Sequence, residues 1–104
     1  MITSEVTVAR IYLTEGEHRL DKLLHLLQHE EAVAGLTVFR GIAGFGQSGK
    51  LHTATLVDMS LDLPVVVEFF DRPAKMGGVL GRVAPFVGAG HVLTWQAGTN
   101  VEID

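Results

Sequence analysis

The stretch VTVARIYLTEGEHRLDKLLHLL, Val6 to Leu27, decides the fold class because its hydrophobic period changes partway along. Residues 6–13 alternate as a β-strand does, and both alternating faces are mostly apolar. Thr14 and Glu17 have the spacing of a capping box, which predicts that a helix begins there. The apolar residues that follow recur at helical spacing: Leu20, Leu23, Leu24 and Leu27. The stretch therefore predicts a strand that leads directly into an amphipathic helix, which we expect to continue to about Val33.

The rest of the chain repeats this alternation of strand and helix. Gly35 stands where a left-handed cap at the end of the first helix belongs. Pro85 is expected to bend or end the second helix, because a proline in a helix interior costs about 3 kcal/mol. The further predicted elements are strands over 36–43, 63–70 and 91–96, and a helix that opens at Asp71-Arg72-Pro73 and ends at Gly88-Ala89-Gly90.

The order of these elements predicts an α+β fold, the ferredoxin-like βαββαβ sandwich. Right-handed crossovers then place both helices on one face of an antiparallel four-stranded sheet. The 104 residues form a single domain, 1–104. The second face of the sheet is too apolar for contact with water alone, so we expect an oligomer. Its expected contacts are the apolar residues Val6, Val8, Val66 and Phe70, with Arg10, Arg40 and Glu68 as paired charges among them.

Composition excludes several classes of function. The net charge of −4 argues against general nucleic-acid binding. There is no cysteine, which excludes thiolate chemistry and fits the reducing cytoplasm, where we expect the protein to act. The sequence begins without the basic and apolar regions of a signal peptide, and no apolar run approaches the roughly 20 residues that span a bilayer.

The segment Arg40 to Lys50, RGIAGFGQSGK, is the strongest candidate for a binding site. Its four glycines let backbone amides approach an anion, and the whole range 32–57 holds none of the 12 acidic residues. It lacks the spacing of a Walker A loop. The alternative is a glycine-rich hairpin tip with two solvated cations, and the segment alone does not decide between them. We expect the loop from Gly44 to about Val57 to be mobile without ligand.

Two further groups are candidates, each with a simpler structural explanation. The turn Gly88-Ala89-Gly90-His91 can cradle a phosphate, although, taken alone, a helix cap followed by a turn explains it better. The histidines His18, His25 and His29 share one stripe of the first helix, where a polar outer face is the simpler explanation than a metal site. No nucleophile elbow or triad is specified, so we expect no catalytic residue, no metal ion and no cofactor.

Three blocks of sequence resemble those of a known protein family. They are VFRGIAGFG over 38–46, GKLHTA over 49–54 and DMSLDLPVVVE over 58–68, and Gly88-Ala89-Gly90 before the last strand also fits. With these blocks the chain resembles the PII-like (GlnB-like) superfamily over almost its whole length, and specifically its domain-of-unknown-function family 190 group. The resemblance implies a ferredoxin-like subunit, a homotrimer, and clefts between subunits that bind an adenine nucleotide.

The resemblance also implies which residues surround the ligand. Gly44 to Gln47 match the start of the PII loop that follows the second strand, and His91 stands where that family has a lysine. The tail from Thr99 to Asp104 lacks the arginines that hold phosphates in PII proteins, so a nucleotide with fewer charges, such as AMP, fits better than a triphosphate. The full set of predicted ligand-binding residues is Arg40, Gly41, Gly44, Phe45, Gly46, Gln47, Lys50, His52, Gly88, Gly90 and His91.

The sequence therefore predicts a regulatory, signalling protein and not an enzyme. We expect it to bind a small anionic effector and to relay that binding to a protein or membrane-transporter target. The main alternative is a metal-responsive ferredoxin-like trimer that uses surface histidines, and a small enzyme with a cleft between subunits is the third hypothesis.

Overall fold

The computed structural model describes residues 3–14, 19–46, 52–53 and 63–100. The elements in chain order are β1 Ser4–Thr14, α1 Arg19–His25, a π-helical turn Leu26–Glu30, β2 Gly35–Arg40, β3 Ala43–Gly44, β4 His52–Thr53, β5 Pro64–Asp71, α2 Pro73–Val87 and β6 Val92–Thr99. None of the helices in these ranges is long and apolar enough to cross a membrane.

The main sheet confirms the predicted ferredoxin-like fold. Its four strands have the order β2-β5-β1-β6, and every neighbouring pair is antiparallel. β1 and β2 therefore run in the same direction and are joined through α1, while β5 and β6 are joined through α2. A second, short ladder joins β3 to β4, with Ala43 opposite Thr53 and Gly44 opposite His52.

The hydrophobic core lies between the sheet and the two helices. On β1 and β5 it takes every second residue, as the alternation of a half-covered strand requires. The predicted leucine stripe of the first helix also packs here, with Leu23 and Leu27 fully buried. The central members are Ala9, Ile11, Leu13, Leu23, Leu27, Val65, Val67, Phe69, Met76, Val79, Val83 and Val87.

The expected left-handed cap at Gly35 was wrong, and Pro85 does not end the second helix, which closes at Gly88 as predicted. Gly35 is the first residue of β2 and not a left-handed cap; the residue with positive φ near the helix end is Ala32, at 48°. Pro85 lies inside α2, which continues to Val87. Pro85 and Gly81, whose carbonyl loses its helical partner there, are both exposed, so water can satisfy that carbonyl.

Other strands begin or end a few residues away from their predicted boundaries. β2 ends at Arg40, and β6 extends to Thr99 because β1 offers partners as far back as Ser4. Glu17 of the predicted capping box lies outside the described residues. So does most of the loop predicted to be mobile, of which Gly44–Gly46 and His52–Thr53 are described.

A polar network fixes the connection between the π-helical turn and β2. The buried Glu31 carboxylate accepts two hydrogen bonds from Arg82 of α2, at 2.6 and 2.7 Å. The buried Asp71 carboxylate accepts from the Ala34 amide at 3.1 Å and pairs with Lys75 at 3.0 Å. These bonds tie the segment that contains Ala32 to α2 and to the end of β5.

The opposite side of the main sheet, which we call the open face, is not covered by either of the described helices. Strand register places on it Val8, Arg10, Tyr12, Phe39, Val66, Glu68, Phe70, Leu93 and Trp95. Several are large and exposed, with Leu93 at 53% and Phe39 at 47%. The predicted apolar second face is thus present. Arg40, opposite the buried Val65, belongs by register to the helix side and not to this face.

Candidate functional site

The two predicted glycine segments lie at the same end of the main sheet but on opposite edges. Arg40 ends the edge strand β2, and Val92 begins the other edge strand, β6. β5 and β1 lie between them, so three strand spacings of roughly 4.8 Å separate the segments by about 14 Å. Within one subunit, therefore, the described parts of the two segments begin about 14 Å apart.

In the first segment, Gly41 and Gly44 allow the backbone to pack closely against Pro64. The Gly41 amide donates to the Pro64 carbonyl oxygen at 2.7 Å, so this amide is not available to a ligand. A Cβ on Gly41 would lie 2.7 Å from Pro64 Cγ, and one on Gly44 would lie 3.1 Å from it. Both glycines are explained by the close approach of this backbone to β5.

Gly46 differs from them, because a Cβ there would meet nothing within 4 Å. Its backbone is exposed beside Phe45, whose side chain is 73% exposed. Arg40 lies exposed at the end of β2. Gln47 and Lys50 lie outside the described residues, and for His52 the structure describes only the backbone, opposite Gly44.

The second segment is a left-handed turn that follows the end of α2. Gly88 and Gly90 have φ of 78° and 81°, values that favour glycine. The Gly88 amide donates to the Ala84 carbonyl at 3.2 Å, which closes the helix. Arg19 of α1 donates to the Phe86 carbonyl at 3.2 Å, so a cation already lies at this helix end.

His91, at the end of this turn, is held to β1 by two contacts with one residue. The Tyr12 amide donates to the His91 carbonyl at 2.9 Å. The His91 ring Nδ1 lies 2.9 Å from the Tyr12 carbonyl oxygen. Because a carbonyl only accepts, Nδ1 carries the hydrogen, and Nε2 is left for another partner.

The sequence did not point to Pro64 or to Tyr12 as parts of this end of the sheet. Their contributions are backbone carbonyls, whose positions depend on the strand register, and no local residue pattern reports the register. Prediction placed Gly88, Gly90 and His91 correctly at a turn, whereas Gly44, predicted to begin a loop, lies in β3. It did not show which amides the fold itself uses.

The histidines of the first helix form a separate group. The rings of His25 and His29 lie 4.8 Å apart, with an angle of 41° between their planes, and both side chains are exposed. Within the described ranges, no group of three or more histidine, aspartate or glutamate side chains is arranged to hold a metal ion.

Solved structures with a similar fold include two kinds of protein. CPII from Thiomonas intermedia K12, described as a nitrogen regulatory PII-like protein bound to ADP, AMP and bicarbonate, matches with a TM-score of 0.75 and 18% identity, over 96% of this chain and 92% of that one. The periplasmic divalent cation tolerance protein CutA from Archaeoglobus fulgidus matches with a TM-score of 0.59 and 12% identity, over 94% of this chain and 87% of that one. At these identities the likeness shows a shared fold.

Sequence relatives identify the family. A UPF0166 protein of Aquifex aeolicus is 37% identical over 78 residues, which cover 71% of this chain and 74% of the relative. A UPF0166 protein of Methanocaldococcus jannaschii is 30% identical over 80 residues, covering 73% of each chain. The model of the family DUF190, described as "Uncharacterized ACR, COG1993", matches residues 6–99, and so the chain belongs to the DUF190 family, as the resemblance of its central blocks indicated.

Proposed function

We propose that this protein is a PII-like regulatory module that binds a small anionic effector, an adenine nucleotide such as AMP or ADP, in clefts between the subunits of a homotrimer. The observation that carries the proposal is the position of the two glycine segments at one end of the sheet and on opposite edges. We propose that a ligand that contacts both segments lies where one subunit's β2 edge approaches another subunit's β6 edge.

The backbone of the first glycine segment supports an anion. The exposed Gly46 backbone leaves room for close approach, and amides are fixed dipoles that need no ordering of side chains. A charged hydrogen bond contributes roughly 1.5–3 kcal/mol, so two or three supply about 3–9 kcal/mol, and contacts with the rest of the nucleotide must supply what micromolar binding needs beyond this. The structures of CPII with ADP and AMP bound show that a protein of this fold accommodates such ligands.

The effector is proposed to act by changing the population of two states and thereby the contact with a protein or membrane-transporter target. No catalytic step is proposed, and the module acts by binding alone. A shift of population requires that the ligand bind one state more tightly than the other, so that binding and target contact are thermodynamically linked.

Calorimetry with AMP, ADP, ATP and cyclic nucleotides at millimolar concentration tests this function. Binding of one of them with a stoichiometry of one per subunit supports it, and heats indistinguishable from dilution for all of them contradict it. A thermal-shift measurement gives a second readout, because a ligand at 100 times its Kd adds about 2.7 kcal/mol to the free energy of unfolding.

The alternative function is a metal-responsive trimer. The proximity of the exposed His25 and His29 rings favours it, as does the fold shared with CutA. A zinc or copper titration separates the two proposals. Metal binding that His25→Ala and His29→Ala abolish, in a protein that ignores nucleotides, favours the metal-responsive trimer.

A further inference from the structure

The contact between His91 and Tyr12 determines which ring nitrogen can meet a ligand. The Tyr12 carbonyl holds the hydrogen on Nδ1, at a distance of 2.9 Å. In the neutral ring Nε2 then carries only a lone pair, which repels an anion. In the protonated ring Nε2 carries a hydrogen as well, and the same ring donates to Tyr12 and to an anion at once. Among the described residues, Nε2 has no hydrogen-bond partner.

The turn itself offers an anion no other charged side chain. The turn follows the C-terminal end of α2, where the last carbonyls carry partial negative charge and disfavour an anion. The last turn of α2, Ala84–Val87, contains no charged residue. Arg19, from α1, donates to the Phe86 carbonyl within that helix end, and β1 contributes the carbonyl of Tyr12. His91 is thus the side chain of the turn itself that can bring a cation to a bound anion.

We infer that His91 makes anion binding proton-linked: the ring is protonated when the ligand is bound, with Nδ1–H donating to Tyr12 and Nε2–H donating to the anion. This proton linkage rests on the anion site proposed above and adds regulation by pH to it. Binding then takes up a proton and becomes weaker as the pH rises.

The experiment is a calorimetric titration of ADP into the wild-type protein between about pH 6 and pH 8. The Kd is expected to rise with pH by up to tenfold per unit, the limit for one linked proton. Repeating it in buffers with different ionisation enthalpies should show proton uptake. The ADP phosphate titrates too. The decisive quantity is therefore the difference in the pH dependence of Kd between wild type and His91→Lys, because the charge of the new lysine side chain is fixed across this range.

His91→Lys is expected to lose the proton uptake and to bind ADP more tightly than wild type at about pH 8. The matched control is His29→Lys, the same change at an exposed histidine of the π-helical turn, which should keep the wild-type pH dependence. Equal pH dependence in wild type and His91→Lys would overturn the link while leaving the nucleotide site intact. No ADP binding by wild type at any pH would overturn the site and the link together.

A second measurement tests the ring geometry without any ligand. Long-range proton–nitrogen NMR spectra should show that the neutral form of the His91 ring carries its hydrogen on Nδ1. A ring that carries the hydrogen on Nε2 would overturn the inference whatever the calorimetry shows, since Nε2–H would then be available without proton uptake.

Discussion

Arg10 and Glu68 face each other on the open face of the sheet, with Nε of the arginine 2.8 Å from Oε1 of the glutamate. The Arg10 guanidinium also lies 5.5 Å from the centre of the Trp95 ring, a cation–π arrangement. Hydrogen bonding by Glu68, and then by Tyr12, raises the pKa of Arg10, so it stays charged. A buried arginine without a partner is strongly destabilising. Because Arg10 is paired with Glu68, a second subunit can cover this apolar face without that cost.

We predict that the protein is a homotrimer that uses the open face. Light scattering at micromolar concentration should return three times the chain mass of 11.2 kDa. Phe39→Glu, at an exposed position of that face, should shift the mass toward one chain, because assembly would have to bury a new charge.

Val38→Glu is the matched control for this change. Val38 is the neighbouring residue of β2 and is similarly exposed, at 38%, but by register it lies on the helix side. This variant should remain trimeric. A monomeric wild-type protein, or equal dissociation of the two variants, would rule out the open face as the contact surface.

The sequence was sufficient for the main strands and helices but not for the π-helical turn, the β3–β4 ladder or the contacts between elements. The leucine spacing of α1 is a local pattern, and it correctly predicted the side of that helix that packs in the core. The positive φ of Ala32 could not be predicted, because that residue is held by the bonds of its neighbours Glu31 and Ala34 to α2 and β5. The hydrogen bond between His91 and Tyr12 depends likewise on the pairing of strands 79 residues apart.

We predict that Gly46→Val weakens nucleotide binding and leaves the fold intact. A Cβ at Gly46 meets none of the described residues within 4 Å, so we expect the larger side chain to be accepted by the ligand-free protein while it blocks close approach of the ligand to the backbone. Calorimetry should show an affinity for ADP at least about tenfold lower, equivalent to about 1.4 kcal/mol.

The thermal midpoint of Gly46→Val should equal that of wild type at the same subunit concentration. Gly41→Ala provides the contrast, since its Cβ would lie 2.7 Å from Pro64 Cγ and the chain must shift to accept it. We expect a lower thermal midpoint for Gly41→Ala. If Gly46→Val binds ADP as tightly as wild type, the first glycine segment is not part of the site.

We predict that Glu31 contributes stability that is lost in acid. Hydrogen bonding from the Arg82 guanidinium holds the pKa of the buried Glu31 carboxyl below its ordinary value of 4.5. Because the pKa is lower in the folded than in the unfolded protein, the contribution is complete above pH 4.5 and disappears as the pH falls through the folded value. Glu31→Gln should be less stable than wild type at neutral pH, and the difference should shrink below pH 4.5.

Thermal unfolding followed by circular dichroism from neutral pH to about pH 3 measures this difference. Glu30→Gln, the same change at the exposed neighbour, should follow the wild-type curve. A constant difference between Glu31→Gln and wild type across the whole range would show that the carboxylate charge is not what Arg82 stabilises.

We predict that Gly77→Ala stabilises α2. Gly77 is exposed in the helix, its φ is not positive, and a Cβ there would meet nothing within 4 Å, so the substitution removes a flexible residue without a clash. The expected gain is about 1 kcal/mol in the free energy of unfolding, measured by urea denaturation at fixed subunit concentration.

Gly78→Ala is the matched control one residue away: its Cβ would lie 3.1 Å from Nη2 of Arg82, the atom that donates to Glu31 at 2.6 Å. The methyl group must therefore displace the guanidinium, and we expect Gly78→Ala to gain less than Gly77→Ala. Equal gains would mean that Arg82 moves at no cost and that its bond to Glu31 does not constrain this side of the helix.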